Sequence, residues 1–241
     1  MIRQAQPALP LFRRQKGGIS VGKDLTILLR VSLVLVSATI GCSKKEAPAS
    51  RPSTSIEAIA TQTKQLLLTN PEVQKVLAGQ SQAATDEALD RLARRGWKRL
   101  SDDQLFQRAT IRRKLLSSAD ITTCAAMVRD KATEAQTYAA LAKLEAADVE
   151  TFFSLKETAA LAEVKDQKPP KMVLQDQFPE AFGALLRTLP AEQADHLGEL
   201  LTGDPSHAAD EDICWAEKTF LDALLTTQEP YRSTLARAVV Q

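Results

Sequence analysis

From Ser55 onward, apolar residues recur at three- and four-residue spacing, and Pro, Gly or a capping residue breaks each run. That is the pattern of amphipathic helices. Ser55 can cap a helix carrying Ile56, Ile59 and Leu66. Asn70 and Pro71 supply a cap and a first-turn proline before Val73, Val76 and Leu77. The segment DEALDRLARRG carries Leu89 and Leu92 and stops at Gly96. Ser101 with Gln104, and Thr133 with Gln136, have capping-box spacing. The first opens a helix with Leu105, Phe106, Ala109 and Leu116 inward, the second one with Tyr138, Leu141 and Leu144. Asp120 caps a helix in which Ile121, Cys124, Ala125 and Val128 share a face. From Asp148, the residues Val149, Phe152, Phe153, Ala159 and Ala160 form a broad stripe.

Residues 166–171, DQKPPK, are the clearest interruption and predict a hinge or long loop. Beyond them Pro179 and Pro190 mark helix starts, with Phe182, Leu185, Leu186, Leu197, Leu200 and Leu201 inward and Gly203 as a stop. A helix from about Asp210 places Ile213, Ala216, Phe220 and Leu224 on one face, and Pro230 opens the last. The reading is all-α: a multi-helix bundle of helical hairpins, about ten helices over 55–241. No fixed period supports a solenoid.

Composition agrees, being rich in Ala, Leu, Glu, Gln, Lys and Arg, which lose least on entering a helix. The formal net charge is +1, so nothing global argues for nucleic acid, and none is expected as a partner. The distribution is uneven. Nine basic residues crowd 91–114 (Arg91, Arg94, Arg95, Lys98, Arg99, Arg108, Arg112, Arg113, Lys114) against Asp102 and Asp103, whereas acids predominate over 134–217. Either basic and acidic helices face one another or lie solvated, or the run makes a basic surface for an anionic lipid or partner. The candidate surface comprises Arg91, Arg94, Arg95, Lys98, Arg99, Arg112, Arg113 and Lys114.

Ahead of the helices, Arg13, Arg14, Lys16, Lys23 and Arg30 precede an uncharged, largely apolar stretch over 31–41 that runs into a cysteine. A basic region, a short apolar region and small residues at a cut site describe a secretory signal. The stretch is eleven residues long, whereas a membrane span needs about 20. Residues 38–42, ATIGC, resemble the lipobox of bacterial lipoprotein precursors, with Thr39 where that pattern has Leu. The resemblance implies removal of 1–41 as a signal peptide and lipidation of Cys42, the new N-terminus. A plain cleaved or uncleaved signal and a buried cytosolic helix are the alternatives. Each buried methylene contributes about 0.8 kcal/mol, so two or more chains anchor firmly without a spanning helix. Ser43 after the cysteine implies, by the sorting rule of that class, the outer membrane facing the periplasm. Residues 1–20 look unlike a signal's basic region, with two Pro and a Gly-Gly pair, so translation from Val21 is an expectation. Residues 42–54 read as a flexible tether.

Two cysteines remain in the mature chain, Cys124 and Cys214. An even count in an oxidising compartment predicts a disulfide, with two buried thiols as the alternative. Catalytic chemistry is harder to find. The two histidines, His196 and His207, have no metal-ligand spacing, and no CxxC is present. The acidic run at Asp210, Glu211 and Asp212 suits a helix start. Glu157 and Glu163 sit among apolar neighbours, the setting a glycan hydrolase's acid would need, yet no motif of such enzymes surrounds them. No catalytic, metal-binding or cofactor-binding residue is assigned, and no cofactor is expected. The expected function is that of an envelope-anchored, non-enzymatic protein-binding domain with an envelope protein as partner, an assembly factor or an inhibitor of immunity type. A cell-wall or lipid hydrolase is the alternative.

Overall fold

The computed structural model describes residues 55–170, 177–202 and 208–240. The signal at 1–41, the Val21 start, Cys42, the tether at 42–54, Gly203 and His207 lie outside the described residues. Within them the protein is an all-α bundle of helical hairpins with eleven α-helices. These are α1 (Ile56–Thr69), α2 (Pro71–Leu77), α3 (Gln82–Gly96), α4 (Asp102–Ser118), α5 (Ile121–Val128), α6 (Glu134–Leu141), α7 (Ala146–Val164), α8 (Gln177–Leu186), α9 (Ala191–Thr202), α10 (Asp210–Thr226) and α11 (Tyr231–Ala238). A 3-10 turn, Trp97–Arg99, joins α3 to α4.

The caps explain where most helices start. Ser55, Asn70, Ser101, Asp120 and Thr133 each accept hydrogen bonds from first-turn amides, and Ser101 and Thr133 complete reciprocal boxes with Gln104 and Gln136. Ser81 caps α3 and starts it four residues before the expected segment. Two ends are less conventional. Asp130 after α5 and Asp166 after α7 take left-handed φ angles of 54° and 48°. There Lys131 N–H bonds back to Ala126 O and Gln167 N–H to Ala162 O, closing the last turns. Aspartate tolerates this conformation better than most residues do.

Adjacent helices pack as hairpins (α1 with α2, α9 with α10, α10 with α11), and the broadest interfaces join α3 to α7, α10 to α5 and α4, and α11 to α8. Two apolar clusters result. The larger centres on Leu100, Leu116, Cys124, Leu141, Leu185, Leu197, Leu224 and Leu235. The smaller holds Leu67, Val73, Leu77, Leu89, Leu92 and Ala160 beneath α1 and α2. Residues before and after 166–171 share the larger cluster. Arg99 further ties the start of that segment down, donating to Gln167 O and pairing with Asp166 at 3.0 Å. The first two residues of the expected hinge, Asp166 and Gln167, are thus bonded to Arg99.

Cys124 of α5 and Cys214 of α10 form a disulfide, Cα–Cα 5.7 Å, inside the larger cluster. Several expected core positions instead face outward: Leu66, Val76, Ile121 and Leu201 are all more than 40% exposed. In α1 the triple leucine turns Leu67 inward rather than Leu66, and in α2 the pair Val73 and Leu77, one turn apart, takes the core and leaves Val76 off the face.

Candidate functional site

α3 and α7 approach closely because their facing residues are small. A Cβ on Gly96 would stand 1.8 Å from the carbonyl oxygen of Ala159, so only glycine fits that crossing. Ala88, Ala93, Ala159 and Ala160 continue the small-residue contact, and all are buried. On this α3–α7 spine the two apolar clusters meet, and two clefts open along it. Both are lined by Asp90, Ala93, Phe152 and Lys156. Lys156 pairs with Asp90 at 2.9 Å, and that ion pair lines the wall of both.

The second cleft, about 490 Å3, lies between α3, α4, α7 and the end of α11. Its apolar walls are Trp97, Ile111, Leu115, Phe152, Leu155, Val239 and Val240, and Arg94, Arg112 and Asp130 join Asp90 and Lys156 in lining it. Into this cleft α4 carries Arg108, whose guanidinium lies 4.9 Å from the Trp97 ring centroid. A cation over an aromatic face is held by the ring without spending its N–H donors. Arg108 is half-buried and has no ion pair with a described carboxylate. Burial pulls its pKa down to about 10, with Arg112 adding repulsion while Glu217 and Asp130 pull the other way. It remains a cation at neutral pH. One turn on, Arg112 holds Glu217 at 2.6 Å.

The first cleft, about 690 Å3, runs under α1 against α3, α6 and α7. Its polar margin includes the Lys64–Asp86 pair at 2.5 Å, Glu57 and Glu134. Tyr138 lines it, and burial pushes the phenol's pKa upward, as does Glu134 beside it, so the hydroxyl stays protonated.

The candidate basic surface is not one continuous face. Arg112 and Arg113 reach α10, the latter gripping Asp222 through two bonds of 2.7 Å. Lys114 holds Asp148 of α7 at 2.8 Å, Arg99 holds Glu163 at 2.6 Å, and Arg91 pairs along its own helix with Glu87. The Glu163 bond, opposed by burial, raises the Arg99 pKa, and Asp166 adds to it. At Arg99, Arg112, Arg113 and Lys114 basic and acidic segments thus face one another, the first of the two readings of the run. Arg94, Arg95 and Lys98 are the members without an ion pair to a described residue. Arg108, outside the candidate surface, lines the second cleft together with Arg94, Arg112 and Lys156, and is the cation of α4 without an ion pair to a described carboxylate. Sequence spacing cannot separate it from Arg112, four residues away on the same face, because the difference is whether a carboxylate stands opposite.

His196 lies on α9 with its ring 4.7 Å from that of Trp215 and its Nε2 3.8 Å from Asp212. Glu163, one of the two glutamates with the setting of a hydrolase acid, is committed to Arg99. Among the described residues no three His, Cys, Asp or Glu side chains converge as a metal site, and no helix is long and apolar enough to cross a membrane. No family model matches the chain, and no match was found among curated proteins or solved structures.

Proposed function

We propose that this chain is a lipid-anchored envelope protein whose helical domain binds another protein, with Cys42 as the anchor and the domain held in the periplasm by the 42–54 tether. The observation that carries the binding reading is the recess around Arg108: a half-buried guanidinium against an aromatic ring, in a cleft of mixed apolar and charged side chains. A guanidinium keeps its proton at physiological pH, so it can hold an anion but is poorly suited to pass protons. The Cys124–Cys214 disulfide supports the compartment, since structural disulfides persist in oxidising surroundings. The hydrolase alternative needs a protonated carboxylate in an apolar pocket, and Glu163 stands in an ion pair instead.

Site-specific photocrosslinking in intact envelopes tests this. A photoreactive residue at Arg94, on the rim of the recess, is expected to capture one envelope protein in near-stoichiometric yield. The same residue at Gln193 of α9, outside the recess, is expected to capture none. Equal capture from both positions, or none from either, contradicts the proposal.

A further inference from the structure

We propose that the recess between Trp97 and Val240 receives a peptide segment of the partner in which a carboxylate is flanked by apolar side chains, and that Arg108 grips the carboxylate. The inference rests on the protein-binding reading above and names the chemistry its partner must offer.

Two independent features of the recess point to that ligand. The first is charge. Trp97 covers the Arg108 guanidinium at 4.9 Å, but no described carboxylate comes within ion-pair distance. Its nearest acidic neighbours are otherwise placed. Glu217 is bonded to Arg112 at 2.6 Å, and Asp130, which follows α5, lines the recess without coming within ion-pair distance of Arg108. Every other cation of α4 has its carboxylate: Arg112 has Glu217, Arg113 has Asp222 and Lys114 has Asp148. An arginine left open on an aromatic floor presents the planar fork that carboxylates accept through two parallel bonds. Burial strengthens such a bond, because water competes less for either partner.

The second feature is shape. Ile111, Leu115, Leu155 and Val240 share the lining of the recess with Arg94, Arg112, Lys156, Asp90 and Asp130, so an isolated small anion would leave its apolar part unfilled. Its volume of about 490 Å3 falls within the range of sites that enclose a compact ligand. A membrane surface, by contrast, needs outward-facing cations over a broad area, whereas α4 has turned its other cations toward α7 and α10 and the candidate surface keeps Arg94, Arg95 and Lys98 without an ion pair to a described residue. A short inserting segment fits the recess and a lipid bilayer does not.

The test uses the full chain carrying Trp215→Phe, so that Trp97 is the reporting fluorophore. It is titrated with an array of five-residue, end-blocked peptides holding Asp or Glu between Leu, Val and Phe, and with the matching Asn and Gln peptides. Phosphatidylglycerol vesicles form a separate arm. Acidic peptides are expected to shift Trp97 emission and to bind at least ten-fold more tightly than their amide counterparts. Arg108→Gln is expected to abolish that preference and Arg108→Lys to weaken it, both with unchanged helical circular dichroism. Absence of peptide binding, equal affinity for acid and amide, or a preference that survives Arg108→Gln overturns the assignment. So does Arg108-dependent binding to vesicles without binding to peptides. If the peptides fail while crosslinking from position 94 still captures a protein, the carboxylate grip falls and the protein-binding reading stands. If that crosslinking fails as well, the protein-binding reading falls with it.

Discussion

Arg237, near the end of α11, meets Asp102 in the first turn of α4 at 2.5 Å, with the arginine side chain only 3% exposed and the aspartate 38%. The same guanidinium donates to Leu100 O at 3.2 Å, so one buried cation fastens the last helix to the start of the fourth. Its Nε has no hydrogen-bond partner among the described residues. A buried pair is costly to break from one side, because the surviving charge stays dehydrated. Asp102→Asn is therefore expected to lose about 2–3 kcal/mol in chemical denaturation. Arg237→Met, which removes the buried charge and fills the space, should lose less than half of that. A larger loss in Arg237→Met than in Asp102→Asn would contradict this ordering.

The disulfide joins α5 to α10 across 90 residues of chain. In the chain-entropy description, closing so long a loop stabilises the fold by about 4–5 kcal/mol, less any strain. The double variant Cys124→Ala with Cys214→Ala should accordingly melt well below the oxidised protein. Under reducing conditions the two proteins should converge to within about 1 kcal/mol. Two free thiols in the protein isolated under non-reducing conditions would remove the basis of the comparison and of the compartment argument together.

Gly96 tests how closely α3 and α7 must cross. A methyl group there collides with backbone, the Ala159 carbonyl, which cannot swing aside as a side chain can. Gly96→Ala is expected to cost about 2–3 kcal/mol or to misfold, although alanine is the better helix former. Gly198→Ala in α9, with open space around the added methyl, should be neutral or slightly stabilising and serves as the control.

Asp120 gives the fold an acid-sensitive element. Thr123 donates both its amide and its hydroxyl to the carboxylate, holding the Asp120 pKa below its ordinary value, while burial opposes. A carboxyl whose folded pKa is depressed contributes stability above the unfolded value. That contribution is lost as pH falls through the folded one. Asp120→Asn keeps a competent cap without the charge. Its melting temperature should fall below that of the parent at pH 6, and the gap should close toward pH 2. A gap that is constant with pH would place the effect elsewhere.

Fold class and most helix starts were legible because their causes are local: Ser55, Asn70, Ser101, Asp120 and Thr133 bond within their own first turns. What the sequence leaves open depends on residues far apart along the chain. Gly96 reads as a stop, yet its decisive neighbour is Ala159, on another helix. The helix ends at Asp130 and Asp166 escape a search for glycine, since aspartate takes the left-handed turn there. The basic run at 91–114 has the composition of an open surface, and only the partner helices reveal that Arg99, Arg112, Arg113 and Lys114 are neutralised while Arg108 is not. Paired cysteines were the long-range feature that composition anticipated, since an even count in an oxidising compartment is itself a nonlocal constraint.

Lipid attachment at Cys42 is the claim on which location, compartment and partner all depend. Cells labelled with an alkyne analogue of palmitate, expressing either the parent chain or Cys42→Ala, examine it directly. The parent is expected to carry label, sediment with the envelope and lack residues 1–41, and Cys42→Ala to carry none. A parent protein that is unlabelled, cytosolic and still bears its first 41 residues would contradict the account and leave only the helical bundle.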